Sequence, residues 1–228
     1  MDGMDIAHRW NEVRAQVPPD VHVVAVSKTK PISAVEDAYS AGARSFGENR
    51  VQELVGKHEA LTHPDSGRPV DYPDLSWHQI GTLQKNKVKY IAPFVGLIHA
   101  VDQPALLDEI DKRAAANQRN ISVLLQLHIA QESSKFGLSE SELADLLEQL
   151  EDGRWPHVEV KGLMGMATFT NDHVQVAREF QGLRTLYDQF KGPLGWDTLS
   201  MGMSGAWKIA VDNGSNMVRI GSAIFGQR

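Results

Sequence analysis

The stretch Val21-His22-Val23-Val24-Ala25-Val26-Ser27-Lys28 indicates the fold of this chain. Five of its first six residues are valine or alanine, a pattern that predicts a strand buried on both faces. Such strands occur in parallel sheets covered by helices. Lys28 ends the predicted strand, and a primary amine there would lie at the rim of a water-poor cavity. Desolvation and neighbouring cations favour the neutral, nucleophilic form of such an amine. A lysine that only marks the solvated end of a strand is the alternative interpretation.

Seven further strand patterns follow at a steady spacing, and each is followed by a segment of helical character. The predicted strands are 21–28, 45–48, 75–81, 97–102, 121–130, 160–168, 198–203 and 217–221. Eight strand–helix units predict an α/β fold, a single-domain (β/α)8 barrel spanning residues 1–228. An extra N-terminal helix at about 3–16 would cap the bottom of the barrel. An open doubly wound sheet is the structural alternative, but no Gly-x-Gly-x-x-Gly turn follows the first strand.

Local signals place the boundaries of several helices. Ser139 and Glu142 predict a capping box, and Gly153 is suited to end that helix. Asn171 or Asp172 is suited to cap the next long helix, and the pair Asp102 and Pro104 opens another. The segment 62–74 contains three prolines and few apolar residues, which predicts a surface loop.

Composition excludes several classes of protein. The chain has 228 residues, no cysteine and a formal charge of −6. The lack of cysteine excludes disulfides, iron–sulfur clusters and cysteine-based zinc sites. The net negative charge argues against a general nucleic-acid or anionic-membrane surface. The acidic start predicts no signal peptide, and no apolar run is long enough to cross a bilayer. We therefore expect a cytoplasmic protein with no nucleic-acid and no membrane partner.

Polar residues gather at the predicted carboxyl ends of the strands, where barrels of this class carry their chemistry. A phosphate group commonly binds in the loops after strands seven and eight, against exposed backbone N–H groups. Ser204 and Gly205 follow the seventh strand and begin a predicted helix, and Gly221 and Ser222 follow the eighth and begin a short turn. These residues predict a phosphate site, although glycine and serine are also ordinary turn residues.

A lysine near a phosphate site would suit one cofactor in particular. Neutral lysine condenses with aldehydes, and pyridoxal 5'-phosphate is the aldehyde that proteins most often hold in this way. Arg219 lies inside an apolar strand, either as a barrel-wall ion pair or as a donor to the ring nitrogen of a bound pyridine. The second arrangement leaves the ring a weak electron sink. His78 and Asn49 could donate to the phenolic oxygen of the ring or position a water, although a strand histidine is often a satisfied core residue.

Several motifs occur in a fixed order from about residue 21 to the end of the chain. They include Ala25-Val26-Ser27-Lys28-Thr29-Lys30-Pro31, Phe46-Gly47-Glu48-Asn49, Trp77-His78-x-Ile80-Gly81, Leu83-Gln84-x-Asn86-Lys87, Glu132-x-Ser134-Lys135-x-Gly137, Leu199-Ser200-Met201-Gly202-Met203-Ser204 and Val218-Arg219-Ile220-Gly221-Ser222. In sequence and order they resemble the motifs of the YggS/PROSC family of pyridoxal-phosphate homeostasis proteins.

The resemblance implies a barrel like the N-terminal domain of bacterial alanine racemase, with pyridoxal 5'-phosphate held as an internal aldimine on Lys28. By position, Ser204, Gly221 and Ser222 correspond to phosphate ligands of the family, and Arg219 to the partner of the ring nitrogen. Asn49 and Ser200 complete the candidate cofactor-binding residues, and no metal site is expected. The chain departs from the family pattern at Arg50, at Thr82 and at Gly205-Ala206, which leaves local loop contacts open.

Two functions fit these residues, a carrier and buffer of pyridoxal phosphate or a PLP-dependent amino-acid racemase. Racemisation needs an acid–base group on each face of the ring, and alanine racemases take the second from a tyrosine of a C-terminal domain. None of Tyr39, Tyr72, Tyr90 or Tyr187 lies at a predicted strand end, and the sequence ends at Arg228 without such a domain. We therefore expect a monomeric carrier that serves PLP-accepting apo-enzymes. A phosphate-binding barrel enzyme, with Lys28 as a simple cation, is a third interpretation.

Overall fold

The computed structural model describes residues 3–62, 72–131 and 136–227, with side chains from Asp5 onward. Within these ranges the strands form one closed parallel barrel in chain order, which confirms the predicted (β/α)8 fold. The strands are β1 (His22–Val26), β2 (Ser45–Glu48), β3 (Ser76–Gln79), β4 (Leu97–Val101), β5 (Ile121–Leu127), β6 (Val158–Gly165), β7 (Thr198–Met203) and β8 (Met217–Ile220).

Helices alternate with the strands along the described chain. They are α1 (Gly3–Gln16), α2 (Ile32–Ser40), α3 (Val51–Thr62), α4 (Val88–Ile91), α5 (Pro104–Ala116), α6 (Glu140–Glu151), α7 (His173–Leu194), α8 (Trp207–Asp212) and α9 (Ser222–Phe225), with a 3₁₀ turn at Lys85–Lys87. The capping box of Ser139 and Glu142 is present on α6. Asp172 caps α7 by accepting from two backbone N–H groups, and Pro104 is the first residue of α5. These predicted boundaries are therefore confirmed.

The alternation of side chains along each strand separates two cores. Every second residue faces the outer helices and joins one large apolar cluster, as Val123 and Leu125 of β5 do. The intervening residues face the barrel axis, where Val24, Leu124 and Met164 belong to a smaller interior cluster. This inner cluster fills the barrel below its carboxyl face, so the barrel is packed and the site lies above the packing.

The position of α1 differs from the expectation that it would cap the bottom of the barrel. It packs in the outer ring, against α2 and α9. The reason is the last strand–helix unit, whose helix α9 is a single turn and leaves the outside of the β8–β1 seam uncovered. Ile6 and Trp10 of α1 are buried in the outer core together with Phe225 of α9. The extra helix thus completes the helical layer.

Several strands are shorter than the sequence predicts, because ladder pairing stops where the chain turns into a loop. The first strand ends at Val26, two residues before Lys28. Of the loop predicted over 62–74, residues 63–71 lie outside the described ranges, as do 132–135 of the Glu132 to Gly137 motif. Among the helices in the described part of the chain, none has the length and apolar character of a membrane span.

Candidate functional site

A cavity of about 760 Å³ opens at the carboxyl face of the barrel. Its walls come from the ends of strands and the loops that follow them, as the barrel architecture predicts. The predicted site residues Lys28, Asn49, Ser204, Gly221 and Ser222 all line it. Arg219 lines it as well, so residues far apart in the sequence are brought to one pocket. This cavity is the candidate binding site.

Lys28 lies in the turn after β1, and an unusual backbone conformation follows it. Thr29 has a φ of 66°, the left-handed region that residues other than glycine seldom adopt. The backbone N–H of Thr29 donates to the Glu53 carboxylate of α3. The backbone N–H of Lys30 closes the turn on the Ser27 carbonyl at 3.0 Å. These contacts hold the turn in a fixed shape, with Lys28 on the cavity wall.

A buried charged cluster supports this turn from below. The Lys57 ammonium donates to Glu48 Oε1 at 2.7 Å, to Glu53 Oε1 at 2.9 Å and to the Ser27 carbonyl at 2.8 Å. The Ser27 hydroxyl also donates to Glu48 Oε1, at 2.5 Å. Glu48 is fully buried, and its Oε2 atom has no hydrogen-bond partner among the residues that the structure describes. Burial raises the pKa of Glu48, and the contacts from Lys57 and Ser27 oppose that rise.

Arg219 forms the floor of the cavity. Its guanidinium donates from Nη1 to Ser200 Oγ at 3.0 Å and from Nη2 to the Gly165 carbonyl at 3.1 Å. No carboxylate pairs with it among the described residues, so a barrel-wall ion pair does not explain it. Burial lowers the pKa of Arg219 to about 10, which still leaves the group charged at neutral pH. A buried cation without an acidic partner is destabilising unless something else requires it.

Ser200 and His78 lie inside the barrel beneath the cavity, although the sequence predicts both of them at its carboxyl face. Neither lines the cavity. Ser200 Oγ lies 3.4 Å from Nδ1 of His99, and His99 Nε2 lies 3.0 Å from His78 Nδ1. A chain of hydrogen bonds can therefore run from Arg219 through Ser200 and His99 to His78. Of the two interpretations of His78, the structure favours the satisfied core histidine.

The two buried histidines make the stability of the fold dependent on pH. Burial, reinforced by His22, lowers the pKa of His78 to about 3, and burial also lowers that of His99 well below its usual range. The pKa of a histidine in the unfolded chain is about 6.5. Below that pH, the unfolded chain binds protons that the folded chain does not bind. The free energy of unfolding is therefore expected to fall by up to about 1.4 kcal/mol per histidine for each pH unit below that value.

Urea unfolding at pH 7.5, 6.5 and 5.5 measures this dependence. The variant His78→Gln removes one of the two groups and is expected to flatten the slope, while His128→Gln changes an exposed histidine and serves as the matched control. A stability that stays constant across this range would contradict neutral histidines in the core.

The loops after β7 and β8 meet at the phosphate site predicted from the sequence. Ser204 Oγ accepts from the Gly221 N–H at 3.1 Å, which joins the two loops. A Cβ at Gly221 would lie 3.2 Å from the Val26 carbonyl oxygen, so a side chain there would crowd β1. Gly202 has a φ of 86°, and its absent Cβ lets β7 approach Trp207 at the start of α8. Glycine at these two positions brings both loops close to the cavity.

Asn49 is exposed at the opposite side of the cavity, after β2. The side-chain amide of the buried Gln79 fixes this turn by donating to the Asn49 carbonyl at 3.0 Å and to the Gly81 carbonyl at 3.1 Å. Gly81 is required because a Cβ there would lie 2.6 Å from the Asn49 carbonyl oxygen. The side chain of Asn49 is thereby placed on the wall without being buried.

The sequence interpretation missed three polar residues of this region. Lys30 lines the cavity, and its ammonium donates to the carbonyls of Gly226 and Gln227 at 3.3 and 3.2 Å. Gln126 also lines the cavity, from β5. Lys57 holds the buried cluster. A signal existed for Lys57, since it continues the apolar stripe of Val51 and Leu54 on α3.

The chain is similar to known proteins over almost its whole length. The family model of the alanine racemase N-terminal domain matches residues 1–228. A pyridoxal phosphate homeostasis protein of Vibrio alginolyticus is 38% identical over 224 residues, covering 96% of this chain and 92% of that protein. The structure of PipY of Synechococcus elongatus with PLP bound is 35% identical with a TM-score of 0.86, covering 97% of this chain and 100% of PipY.

A more distant structural match is informative about the fold alone. An alanine racemase of Clostridium difficile is 12% identical with a TM-score of 0.77. The match covers 99% of this chain and 57% of that racemase. The two proteins therefore share the barrel.

Proposed function

Because the chain belongs to the pyridoxal phosphate homeostasis proteins, a family built on the alanine racemase N-terminal domain, we propose that it binds pyridoxal 5'-phosphate in the cavity above the barrel. The observation that carries the proposal is the charge of the cavity. The described residues that line it include Lys28, Lys30 and Arg219 and no carboxylate, although the whole chain has a formal charge of −6. A pocket of this kind selects a small anion.

The residues present fit this cofactor group by group. Ser204 and Ser222 offer hydroxyl donors to the phosphate, and Gly221, whose own N–H donates to Ser204 Oγ, holds the loop after β8 against the loop after β7. The fixed guanidinium of Arg219 is a donor without an acidic partner, which suits the ring nitrogen of a pyridine. When bound, the cofactor supplies an aldehyde whose carbon forms a C=N bond with the Lys28 amine as its oxygen leaves as water. Asn49 is a further polar contact on the wall of the cavity.

Arg219 favours storage of the cofactor over turnover. A guanidinium donates hydrogen bonds and accepts none, so it binds the ring nitrogen in its unprotonated form. The ring then withdraws electrons weakly, and carbanions beside it gain little stabilisation. Ser200, whose hydroxyl accepts from the guanidinium, acts as a positioning residue for Arg219 in this account. We therefore assign the protein as a carrier and buffer of pyridoxal phosphate that hands the cofactor to apo-enzymes.

A racemase is the second candidate, because known alanine racemases share the barrel. It would need an acid–base group on the second face of the ring, and none of the four tyrosines of the chain lines the cavity. Incubation of the loaded protein with a panel of L-amino acids in deuterated water separates the two functions. A carrier is expected to show no sustained exchange of α-protons, and sustained exchange with any amino acid would favour the racemase.

The variant Arg219→Gln tests the role of the buried cation. Removing an unpaired buried charge is expected to raise the melting temperature of the cofactor-free protein. The same change is expected to weaken retention of pyridoxal phosphate by about 10-fold or more, since a charge-assisted contact is lost. Equilibrium dialysis and thermal unfolding of the same preparation measure both effects. Unchanged retention would reassign Arg219 to the structure of the barrel wall.

The proposal also covers the setting in which the protein works. It acts as a monomer in the cytoplasm, where free pyridoxal phosphate and newly made apo-enzymes meet. Mixing the loaded protein with an apo-aminotransferase and following recovery of aminotransferase activity tests the transfer step. Recovery no faster than with the same concentration of free cofactor would restrict the role to buffering. Size-exclusion chromatography of the loaded protein tests the monomer.

A further inference from the structure

His99 lies inside the barrel because of an irregularity in β4. The pairing of β4 with β5 shifts its register between Ile98 and Val101, where β4 has one residue more than β5. Leu97 and Ala100 therefore both belong to the cluster inside the barrel, although a regular strand would place them on opposite faces. Bulges of this kind re-aim side chains next to functional sites. This one directs the fully buried His99 into the interior, where its ring meets side chains of β3 and β7.

The direction of the hydrogen bonds around His99 is determined by Arg219. A guanidinium only donates, so Ser200 Oγ accepts from Arg219 Nη1 at 3.0 Å. The hydroxyl of Ser200 has one proton, and His99 Nδ1, at 3.4 Å, is its partner among the described residues. Because Nδ1 of His99 accepts, its Nε2 carries the proton and donates to His78 Nδ1 at 3.0 Å. The hydroxyl and both imidazole rings therefore turn their acceptor ends toward Arg219.

The groups that support Arg219 from inside the barrel are uncharged. Burial lowers the pKa of His99 well below its usual range, and the nearby His78 and Arg219 lower it further. A carboxylate in the same place would neutralise the charge of the guanidinium. Aligned neutral dipoles stabilise a buried cation and reinforce one another, and they leave its net charge in place. The positive charge of Arg219 therefore remains available to a group in the cavity.

We propose that His99 is a positioning residue that acts through Ser200 to hold the Arg219 guanidinium charged and directed into the cavity. His78 completes the arrangement, because by accepting from Nε2 it keeps His99 Nδ1 free to accept from Ser200. The proposal rests on the proposed function only for the identity of the ligand that Arg219 meets. The coupling between His99 and Arg219 belongs to the cofactor-free protein as well, and it is measurable there.

Urea unfolding of the cofactor-free protein tests the coupling by a double-mutant cycle. The variants are His99→Leu, Arg219→Gln and the two combined, and His128→Leu changes an exposed histidine as the matched control. His99→Leu is expected to lower the unfolding midpoint, and this loss should be at least about 2-fold smaller when residue 219 is already glutamine. His99→Asn, whose side-chain oxygen can accept from Ser200 in place of Nδ1, should restore part of the loss. An equal loss in both backgrounds would show that His99 does not act on Arg219.

Ligand selectivity gives a readout that a merely structural role would not change. Dissociation constants are measured for pyridoxal phosphate and for the analogue in which a C–H group replaces the ring nitrogen. The wild type is expected to prefer pyridoxal phosphate, by a factor that falls about 10-fold in His99→Leu and is largely kept in His99→Asn and His128→Leu.

The outcomes separate the role of His99 from the function of the cavity. If folded His99→Leu keeps the wild-type preference, Arg219 does not need His99 and the proposal is wrong. Weaker binding of both compounds by the same factor would also contradict it, since that result indicates a general loss of structure. If the wild type binds neither compound, the proposed function fails, and the unfolding cycle alone then decides whether His99 supports Arg219.

Discussion

Replacing Lys28 with alanine is expected to abolish covalent retention of pyridoxal phosphate. Lys28 is the amine on the cavity wall that the turn after β1 presents, and alanine leaves no nitrogen there to form the C=N bond. The visible absorption band of the loaded protein should disappear, and gel filtration should remove the cofactor. The proposed contacts to the phosphate and from Arg219 do not depend on Lys28, so weak reversible binding is expected to persist.

A matched lysine variant controls for loss of charge. Lys112→Ala removes an exposed lysine outside the main cavity and is expected to keep both the band and the bound cofactor. Thermal unfolding of Lys28→Ala checks that the fold is intact. A visible band that survives in Lys28→Ala, and that borohydride still fixes to the protein, would assign the linkage to another amine.

Replacing Lys57 with methionine is expected to lower the free energy of unfolding by about 3–5 kcal/mol. The change leaves Glu48 fully buried and Glu53 without its ammonium partner, so the desolvated carboxylates lose their compensating charge. The turn at Thr29 also depends on Glu53. The rate of cofactor attachment to Lys28 is therefore expected to fall as well. Urea unfolding and a time course of the visible band measure the two effects.

A second lysine gives the matched control for Lys57. Lys161 forms an exposed pair with Glu159 at 2.9 Å, and Lys161→Met is expected to cost less than about 1 kcal/mol. The double variant Glu48→Gln with Lys57→Met removes one buried charge of each sign and should recover part of the lost stability. If Lys57→Met costs no more than Lys161→Met, the buried cluster does not support the turn.

The fold followed from the sequence because its signals are local. Apolar runs at a regular spacing marked the strands, and the Ser139–Glu142 box and Asp172 marked helix starts. The position of α1 did not follow, since it depends on the single-turn length of α9 and the seam it leaves uncovered. Contacts of that kind are decided by tertiary packing.

The site could be predicted where chemistry is concentrated at strand ends. Lys28, Arg219 and the residues of the phosphate loops all line the cavity. Depth within the barrel was harder to predict, because the height at which a residue meets the axis depends on the stagger between strands. Ser200 and His78 therefore lie beneath the cavity, as partners of Arg219 and His99. Gln126 was missed because an uncharged amide in an apolar strand is a weaker signal than a buried charge such as that of Arg219.

The most direct test of the account is to load the protein with pyridoxal phosphate, reduce it with borohydride and map the labelled peptides. The account predicts one pyridoxyl group per chain, attached to the peptide that contains Ser27, Lys28 and Thr29. It also predicts that free inorganic phosphate competes with the labelling, because we propose that the loops after β7 and β8 bind the phosphate of the cofactor. Label spread over exposed lysines, or a folded protein that takes up none, would contradict the account.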